Sequence, residues 1–190
     1  MIAGLVLAGG NASRLGGGDK CLLPFGKTNL LTILLKRLAP QVSRLAISAN
    51  GDPARFAAYG LPVLADETRN LGPLAGVLAG LDWAAQHGST TLLTVPGDTP
   101  FIPTDLVTQL KPAPAYAHSF DHAHPLVALW PVAAAPALRC LLEQGEHRVM
   151  TAAECLSMRA EVFEDIPDPF FNINTQDDLD LAKKLYKFCK

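Results

Sequence analysis

The chain has 190 residues, of which 49% are hydrophobic and 18% are charged, and its formal net charge is −2. This composition supplies a full hydrophobic core and excludes an intrinsically disordered chain. No basic run or basic helix face is present, which argues against nucleic-acid binding. No apolar stretch reaches the roughly eighteen residues that a transmembrane helix needs. The four cysteines form no C-x-x-C pair, so we expect reduced thiols and a cytoplasmic protein.

The first half of the chain alternates short apolar runs with amphipathic segments. The runs predict strands over 4–7, 45–49, 62–65 and 91–95, and the amphipathic segments predict helices over 28–38, 74–87 and 103–110. This β-α-β alternation predicts an α/β fold with a mostly parallel central sheet, flanked by helices on both faces. Ligands of such sheets bind at the carboxyl ends of the strands, which makes Leu7–Gly10, Asn50 and Asp98 candidate site positions.

The second half of the chain has a different pattern. It predicts a hairpin of strands 113–118 and 126–130, joined through residues 119–123, and then helices over 136–143 and 148–156. An edge strand follows over 161–164. The Thr175-x-x-Asp178 pattern predicts a capping box and a final helix that reaches about residue 188. No internal repeat or linker interrupts the sequence, so we expect one domain over residues 1–190.

The densest chemical signal is the glycine-rich segment that follows the first predicted strand. Five glycines lie between residues 9 and 18, where missing side chains would let backbone N–H groups approach a triphosphate. Arg14 and Lys20 add positive charge for phosphate oxygens. The dinucleotide-binding G-x-G-x-x-G pattern is absent, and Cys21 stands where a P-loop needs its first glycine. A glycine-rich surface loop without function remains the alternative at this stage.

Ordered motifs along the chain resemble those of nucleotidyltransferases, and Asp19-Lys20 is similar to the form found in molybdenum cofactor guanylyltransferases. The matching motifs are L-A-G-G-x-x-x-R-L-G…D-K at residues 7–20, Asn50, Asp66, G-P-L-A-G at 72–76, P-G-D-T-P-F at 96–101, His124-Pro125, G-E-H-R-V-M at 145–150 and F-N-I-N-T at 171–175. The resemblance implies a Rossmann-like nucleotidyltransferase fold. Residues 1–110 or so would form a nucleotide-binding half and residues 111–190 an acceptor-binding half.

The resemblance also implies roles for individual residues. The expected catalytic residues are Lys20, Arg14 and Asp98; the expected GTP-binding residues are Leu7, Ala8, Gly9, Gly10, Lys20, Asn50, Asp66 and Asp98; and the expected molybdopterin-binding residues are His124, Arg148, Asn172 and Asn174. Asp98 is the expected Mg²⁺ ligand, since Mg²⁺ can use one carboxylate when substrate phosphates complete its shell. Alternatively, Asp98 is a turn residue and the two asparagines cap the final helix. A metal site at His118, His122 and His124 is disfavoured against ordinary loop polarity.

The reaction implied by the resemblance is transfer of GMP from GTP to molybdopterin cofactor, with release of pyrophosphate. GTP, the cofactor and Mg²⁺ are then the expected ligands. Cofactor-delivery proteins are further candidate partners, whereas no nucleic acid or membrane is expected. Two alternatives stay open: a cytidylyltransferase acting on the same cofactor, and a nucleotide-binding regulator without activity. A dehydrogenase is a weaker third, because the dinucleotide fingerprint is missing.

Overall fold

The structure is a computed structural model that describes residues 1–9, 18–65 and 72–186. The strands are β1 (Ile2–Leu7), β2 (Pro24–Phe25), β3 (Thr28–Asn29), β4 (Arg44–Ser48), β5 (Val63–Leu64), β6 (Thr91–Pro96), β7 (Ala115–Ser119), β8 (His122–Pro131) and β9 (Arg159–Phe163). The α-helices are α1 (Leu30–Leu38), α2 (Pro73–Gln86), α3 (Leu106–Leu110), α4 (Ala135–Glu143), α5 (Val149–Cys155) and α6 (Gln176–Leu185). Among the helices described, none is long and apolar enough to cross a membrane.

Within the described ranges, one seven-stranded sheet has the order β5-β4-β1-β6-β8-β7-β9. Only β8 among these strands runs antiparallel to its neighbours, β6 and β7, and the remaining pairs are parallel. The strands β2 and β3 form a separate small hairpin. The α/β class and the mostly parallel central sheet predicted from the sequence are confirmed.

The sheet is covered by helices on both faces, as the alternation of its buried side chains requires. On one face Val6 of β1 lies in a core cluster with Leu31 and Leu34 of α1. On the other face its neighbour Leu5 lies in a second cluster with Leu74 and Val77 of α2. Successive residues of β1 therefore face opposite layers, and the carboxyl edge of the sheet is left open between them.

The predicted hairpin of the second half is confirmed, but its connection is shorter than predicted. β7 extends to Ser119 and β8 begins at His122, so the turn is Phe120-Asp121, with Phe120 at φ 51°. Pro125 lies within β8, although a proline cannot donate a hydrogen bond to the ladder. The structure accommodates it in an irregularity, where the register shifts between Tyr116 and Ala117 of the partner strand.

Helix boundaries differ from the predictions by a few residues. α1 begins at Leu30 rather than at residue 28, because Thr28 and Asn29 pair in β3 and Asn29 caps the helix by accepting from the N–H of Thr32 at 2.9 Å. α3 covers only the last five residues of the predicted segment 103–110. The capping box of α6 is confirmed, and the helix ends at Leu185.

Candidate active site

A cleft of about 480 Å³ opens at the carboxyl edge of the sheet, a volume suited to a small-molecule ligand. It lies where β1, β4 and β6 end. Among the residues that the structure describes, those that line it are Leu7, Ala8, Gly9, Lys20, Cys21, Ser48, Asn50, Gly72, Pro73, Gly76, Pro96, Gly97, Asp98, Leu126 and Asn172. Because the chain leaves β1 toward β4 on one side and β6 lies on the other, this is the topological switch point at which such sheets bind ligands.

Backbone hydrogen bonds fix the loops that form the floor of the cleft. The N–H of Ala8 donates to the carbonyl of Ser48 at 2.8 Å, and the N–H of Gly97 donates to the carbonyl of Leu7 at 2.9 Å. The first turn of α2, with Pro73 at its start, also faces the cleft. Unpaired N–H groups at a helix N-terminus favour anions, so this end of α2 makes the cleft favourable for phosphate.

The central polar contact of the cleft joins Lys20, Asp98 and Asn174. The Nζ atom of Lys20 is 3.3 Å from Oδ2 of Asp98, and it also donates to Oδ1 of Asn174. The Lys20 and Asp98 side chains are about one-fifth exposed, at 19% and 21%. Three segments far apart in the chain therefore place an ammonium and a carboxylate together at the edge of the cleft.

The placement of Asn174 depends on the capping box that begins α6. Oδ2 of Asp178 accepts from the N–H groups of Asn174 at 2.9 Å and Thr175 at 2.8 Å, while the N–H of Asp178 donates to Oγ1 of Thr175. The N–H of Ile173 donates to the carbonyl of Asp98 at 3.1 Å. The segment before α6 is thus held against both Lys20 and the loop of Asp98.

We expect Asp178→Asn to lower the free energy of unfolding by about 1 kcal/mol near neutral pH, since a charged cap at a helix N-terminus is lost. Burial raises the pKa of Asp178, but the hydrogen bonds from Asn174 and Thr175 and the charge of Lys20 bring it below its ordinary value of 3.8. A carboxylate with a lowered folded-state pKa stabilises the fold above its unfolded pKa and loses that effect as pH falls. Denaturation of both proteins should therefore show a difference that shrinks below about pH 4. A difference independent of pH would contradict this assignment.

Gly97 brings the Asp98 loop close to the segment after Lys20. A Cβ atom on Gly97 would lie 2.8 Å from Cβ of Cys21 and 3.4 Å from the carbonyl oxygen of Leu7. These contacts leave no room for a side chain, and the contacting atoms belong to the floor of the cleft. Apart from its place in the P-G-D-T-P-F motif, no sequence pattern marks this glycine as important.

We expect Gly97→Ala to lower the free energy of unfolding by about 1–3 kcal/mol, because the added methyl group overpacks the site, and to weaken nucleotide binding by displacing Cys21 or Asp98. Chemical denaturation and calorimetric titration with a nucleoside triphosphate measure the two effects. Gly9→Ala is the control for stability, since a Cβ at Gly9 meets nothing within 4 Å among the residues that the structure describes. Equal stability of the two variants would show that the atoms around Gly97 move aside for the methyl group at no cost in stability.

Cys21 lines the cleft without being a plausible nucleophile. Burial, together with the nearby carboxylate of Asp19, raises the pKa of its thiol to about 12. The thiol is then protonated at neutral pH, and a thiolate is the form that attacks. Covalent catalysis through this cysteine is therefore disfavoured, in agreement with a reaction in which the acceptor attacks directly.

The structure brings together most of the residues predicted for the nucleotide site. Leu7, Ala8, Gly9, Lys20, Asn50 and Asp98 all line the cleft, and so does Asn172 from the predicted acceptor set. Asn174 reaches the cleft through its hydrogen bond to Lys20. Gly10, Arg14 and Asp66 lie outside the described residues, so their predicted roles stay predictions.

His124 is near the same edge of the sheet but does not line the cleft. Its Nε2 lies 2.8 Å from Oγ of Ser119, which donates to Oδ1 of Asp168 at 2.9 Å. Because the hydroxyl proton goes to Asp168, His124 must donate through Nε2, which fixes its tautomer. Burial lowers the pKa of His124, and the charge of Asp168 opposes this. No local sequence pattern indicates Ser119 or Asp168 as its partners.

Arg148 is also outside the cleft lining and lies on the surface. Its side chain is 80% exposed, and its guanidinium is 2.9 Å from Oε2 of Glu146, two residues earlier. Direct hydrogen bonding to Arg148 lowers the pKa of Glu146 to about 2. The structure therefore does not bring Arg148 together with Lys20 and Asp98, and its predicted contact with molybdopterin stays untested.

An open α/β sheet with a phosphate-favouring cleft at its switch point, containing a lysine–aspartate pair, defines the chain as a nucleotidyltransferase in class. The model of the MobA-like NTP transferase domain matches residues 4–158, and the chain belongs to this family, that of the molybdenum cofactor guanylyltransferases. Nucleotidyltransferases of this kind generally work with a divalent metal ion.

Two curated relatives match nearly the whole chain. The molybdenum cofactor guanylyltransferase of Acidiphilium cryptum is 53% identical over 181 residues, covering 94% of this chain and 92% of the relative. That of Cereibacter sphaeroides is 49% identical over 188 residues, covering 97% and 96%. The crystal structure of molybdopterin-guanine dinucleotide biosynthesis protein A from Archaeoglobus fulgidus is 22% identical, with a TM-score of 0.75 over 97% of this chain and 98% of that one, and it supports the fold.

Proposed function

We propose that this chain transfers GMP from GTP to molybdopterin cofactor, forming molybdopterin guanine dinucleotide and pyrophosphate. The observation that carries the proposal is the pair of Lys20 and Asp98, 3.3 Å apart in the cleft where β1 and β6 end. The names of the relatives, which cover more than nine-tenths of the chain, supply the nucleotide and the acceptor.

The cleft fits Mg²⁺ as the accompanying metal ion. Asp98 offers a carboxylate and Asn172 an amide oxygen at the cleft, which are hard ligands. Across residues 1–9, 18–65 and 72–186, no group of three His, Cys, Asp or Glu side chains could hold a metal by itself. Phosphate oxygens and water would complete the shell, as is usual for Mg²⁺. When bound, the ion neutralises charge on the phosphates of the nucleotide.

The residues of the chain position the two substrates and neutralise charge on the phosphates. Lys20 binds the triphosphate and offsets the charge that develops as pyrophosphate leaves, and backbone N–H groups at the start of α2 add further donors. Donation by the backbone of the glycine-rich segment stays a prediction, because residues 10–17 lie outside the described residues. The terminal phosphate of the acceptor attacks the α-phosphorus of GTP, and the bond to the β-phosphate oxygen breaks. That phosphate is an anion at neutral pH, so the reaction needs no general base.

The acceptor is assigned to the side of the cleft that β8 and the 168–175 segment form. Asn172 lines the cleft there. His124 lies in β8 outside the cleft lining, and its Nε2–H is held by Oγ of Ser119. On this assignment residues 1–110 or so bind the nucleotide, and residues 111–190 bind the acceptor within a single domain. A cytoplasmic location and the involvement of cofactor-delivery proteins stay predictions.

The proposal is tested by incubating the purified chain with Mg²⁺, GTP and molybdopterin cofactor, and following the dinucleotide by chromatography and mass spectrometry. We expect dinucleotide and pyrophosphate in equal amounts, and neither product when the acceptor or Mg²⁺ is omitted. GTP binding without any product would favour the nucleotide-binding regulator. Pyrophosphate release without the acceptor would indicate a different reaction.

A further inference from the structure

Arg55 bridges two segments that line the nucleotide cleft, although it lines no part of the cleft itself. Its Nε atom is 2.6 Å from Oδ2 of Asp19, directly before Lys20. Its Nη2 donates to the carbonyl of Asn50 at 2.6 Å, and its Nη1 donates to the carbonyl of Asp52. A single guanidinium thus joins the segment of Lys20 to the segment of Asn50, which a lysine could not do with one compact ammonium.

The local sequence places this guanidinium by a short turn. Gly51 has φ 88°, a left-handed conformation that disfavours any other residue, and the side chain of Asp52 accepts from the N–H of Ala54 at 2.9 Å. Pro53 then begins the 3₁₀ turn Pro53–Tyr59, which carries Arg55. The guanidinium donates to the carbonyls of Asn50 and Asp52, which directly precede this turn. Its Cζ atom also lies 4.7 Å from the centroid of the Phe56 ring.

Asp19 is directed toward Arg55 rather than toward its own turn. It occupies the N-cap position of the Lys20–Leu22 turn, where an aspartate commonly accepts from the following N–H groups, yet it makes no such cap hydrogen bond. The Asp19 and Arg55 side chains are 16% and 26% exposed, so water only partly screens the pair. The ion pair therefore fixes the backbone from which Lys20 extends.

The pair also has an electrostatic consequence for a polyanionic ligand. Asp19 is adjacent to Lys20, and an unpaired carboxylate there would repel the phosphates that Lys20 attracts. Arg55 neutralises this carboxylate while its contact with Asn50 holds the opposite side of the cleft. Loss of Arg55 would accordingly have two effects, a misplaced Lys20 and an uncompensated negative charge beside it.

We propose that Arg55 is a positioning residue for the nucleotide, which clamps Asp19 to the Asn50–Asp52 turn and neutralises it. This inference rests on the proposed function, since it takes the cleft to hold a nucleoside triphosphate. Arg55 acts through Asp19 and Asn50, and it contacts no reacting atom.

The test compares the wild type with Arg55→Ala, Arg55→Lys, Asp19→Ala and the double variant Asp19→Ala/Arg55→Ala. Calorimetric titration with GTP and Mg²⁺ gives the dissociation constant without the acceptor, and steady-state kinetics give kcat and KM with it. Arg139→Ala is the matched control, because it breaks another ion pair, that with Asp82 at 2.8 Å, outside the cleft lining. Thermal unfolding of every variant separates binding from stability.

We expect Arg55→Ala to weaken GTP binding and raise KM on the order of tenfold, since small misplacements of binding groups have large effects. Arg55→Lys should recover part of the loss by restoring the charge. In the Arg55→Ala background, Asp19→Ala should improve binding again, because it removes the unpaired carboxylate. If Arg55 had a purely structural role, the double variant would instead bind GTP more weakly than either single variant.

Unchanged GTP affinity in folded Arg55→Ala, or a double variant that binds more weakly than Arg55→Ala, would overturn the inference. If Arg55→Ala does not fold, Arg55→Gln with and without Asp19→Ala gives the same comparison. Wild-type protein that neither binds GTP nor forms dinucleotide would overturn the proposed function instead. Normal wild-type transfer together with normal transfer by Arg55→Ala would overturn only the role of Arg55.

Discussion

Asp98→Asn should reduce kcat by a factor on the order of 10³ while leaving the fold intact, because it removes the carboxylate that would hold Mg²⁺ against the reacting phosphates, and losing such a charge-neutralising interaction costs up to about this much in rate. The change keeps the shape of the side chain and removes the charge that faces Lys20 and would hold Mg²⁺. The free energy of unfolding should change little, since Asp98 is partly exposed and its charge contact is with one lysine.

The measurement for Asp98→Asn is single-turnover transfer at saturating GTP, with circular dichroism to verify the fold and Mn²⁺ binding followed by electron paramagnetic resonance. Asp105→Asn is the control, because Asp105 is a carboxylate at the start of α3 that lies outside the cleft lining. Near-normal turnover and metal affinity in folded Asp98→Asn would contradict its role as a metal ligand.

Lys20→Ala should lower kcat by about 10²–10³, the usual effect of losing one preorganised charge contact at a phosphate that is being transferred. Lys20→Arg should recover only part of this rate, since the planar guanidinium cannot place its charge where the compact ammonium stands, between Asp98 and Asn174. Steady-state kinetics with each variant measure both effects.

Lys36→Ala is the matched control for Lys20→Ala, because Lys36 lies exposed in the last turn of α1. It should keep wild-type kinetics and stability. If Lys20→Ala did the same, the glycine-rich segment would not be part of the active site, and the assignment of the cleft would fail with it.

The sequence predicted the features that depend on local pattern and on the position of strand ends. β1, β4 and β6 are mostly apolar runs whose last residues are followed closely by Ala8–Gly9, Asn50 and Asp98, so the rule for parallel sheets is sufficient to bring these residues to one edge. The capping box of α6 also depends on local sequence, since the side chains of Thr175 and Asp178 each accept a hydrogen bond from the backbone N–H of the other within one turn.

The contacts between distant segments could not be predicted, because no local pattern encodes them. Lys20 and Asn174 are 154 residues apart in the chain, so the sequence predicts for the asparagine only a contact with the acceptor or a capping role at the final helix, whereas the structure pairs it with the lysine. His124 is similarly linked to Asp168 through Ser119, which the sequence pattern predicts in a loop. Arg55 was missed although Gly51-Asp52-Pro53 is a recognisable turn signal, because its partner Asp19 lies far away in the sequence.

The choice of nucleotide tests the proposed guanylyl transfer most directly. Guanine presents two adjacent donors, N1–H and its 2-amino group, and acceptors in the cleft that pair with them stay unsatisfied when cytosine or adenine enters. Each unsatisfied buried group costs about 1–3 kcal/mol, so discrimination of several-fold to more than a hundredfold is available per contact. The measurement is kcat/KM for GTP, CTP and ATP with Mg²⁺ and molybdopterin cofactor as the acceptor. We expect GTP to exceed both others by at least about tenfold. Equal or better use of CTP would contradict the guanylyltransferase assignment and identify a cytidylyltransferase.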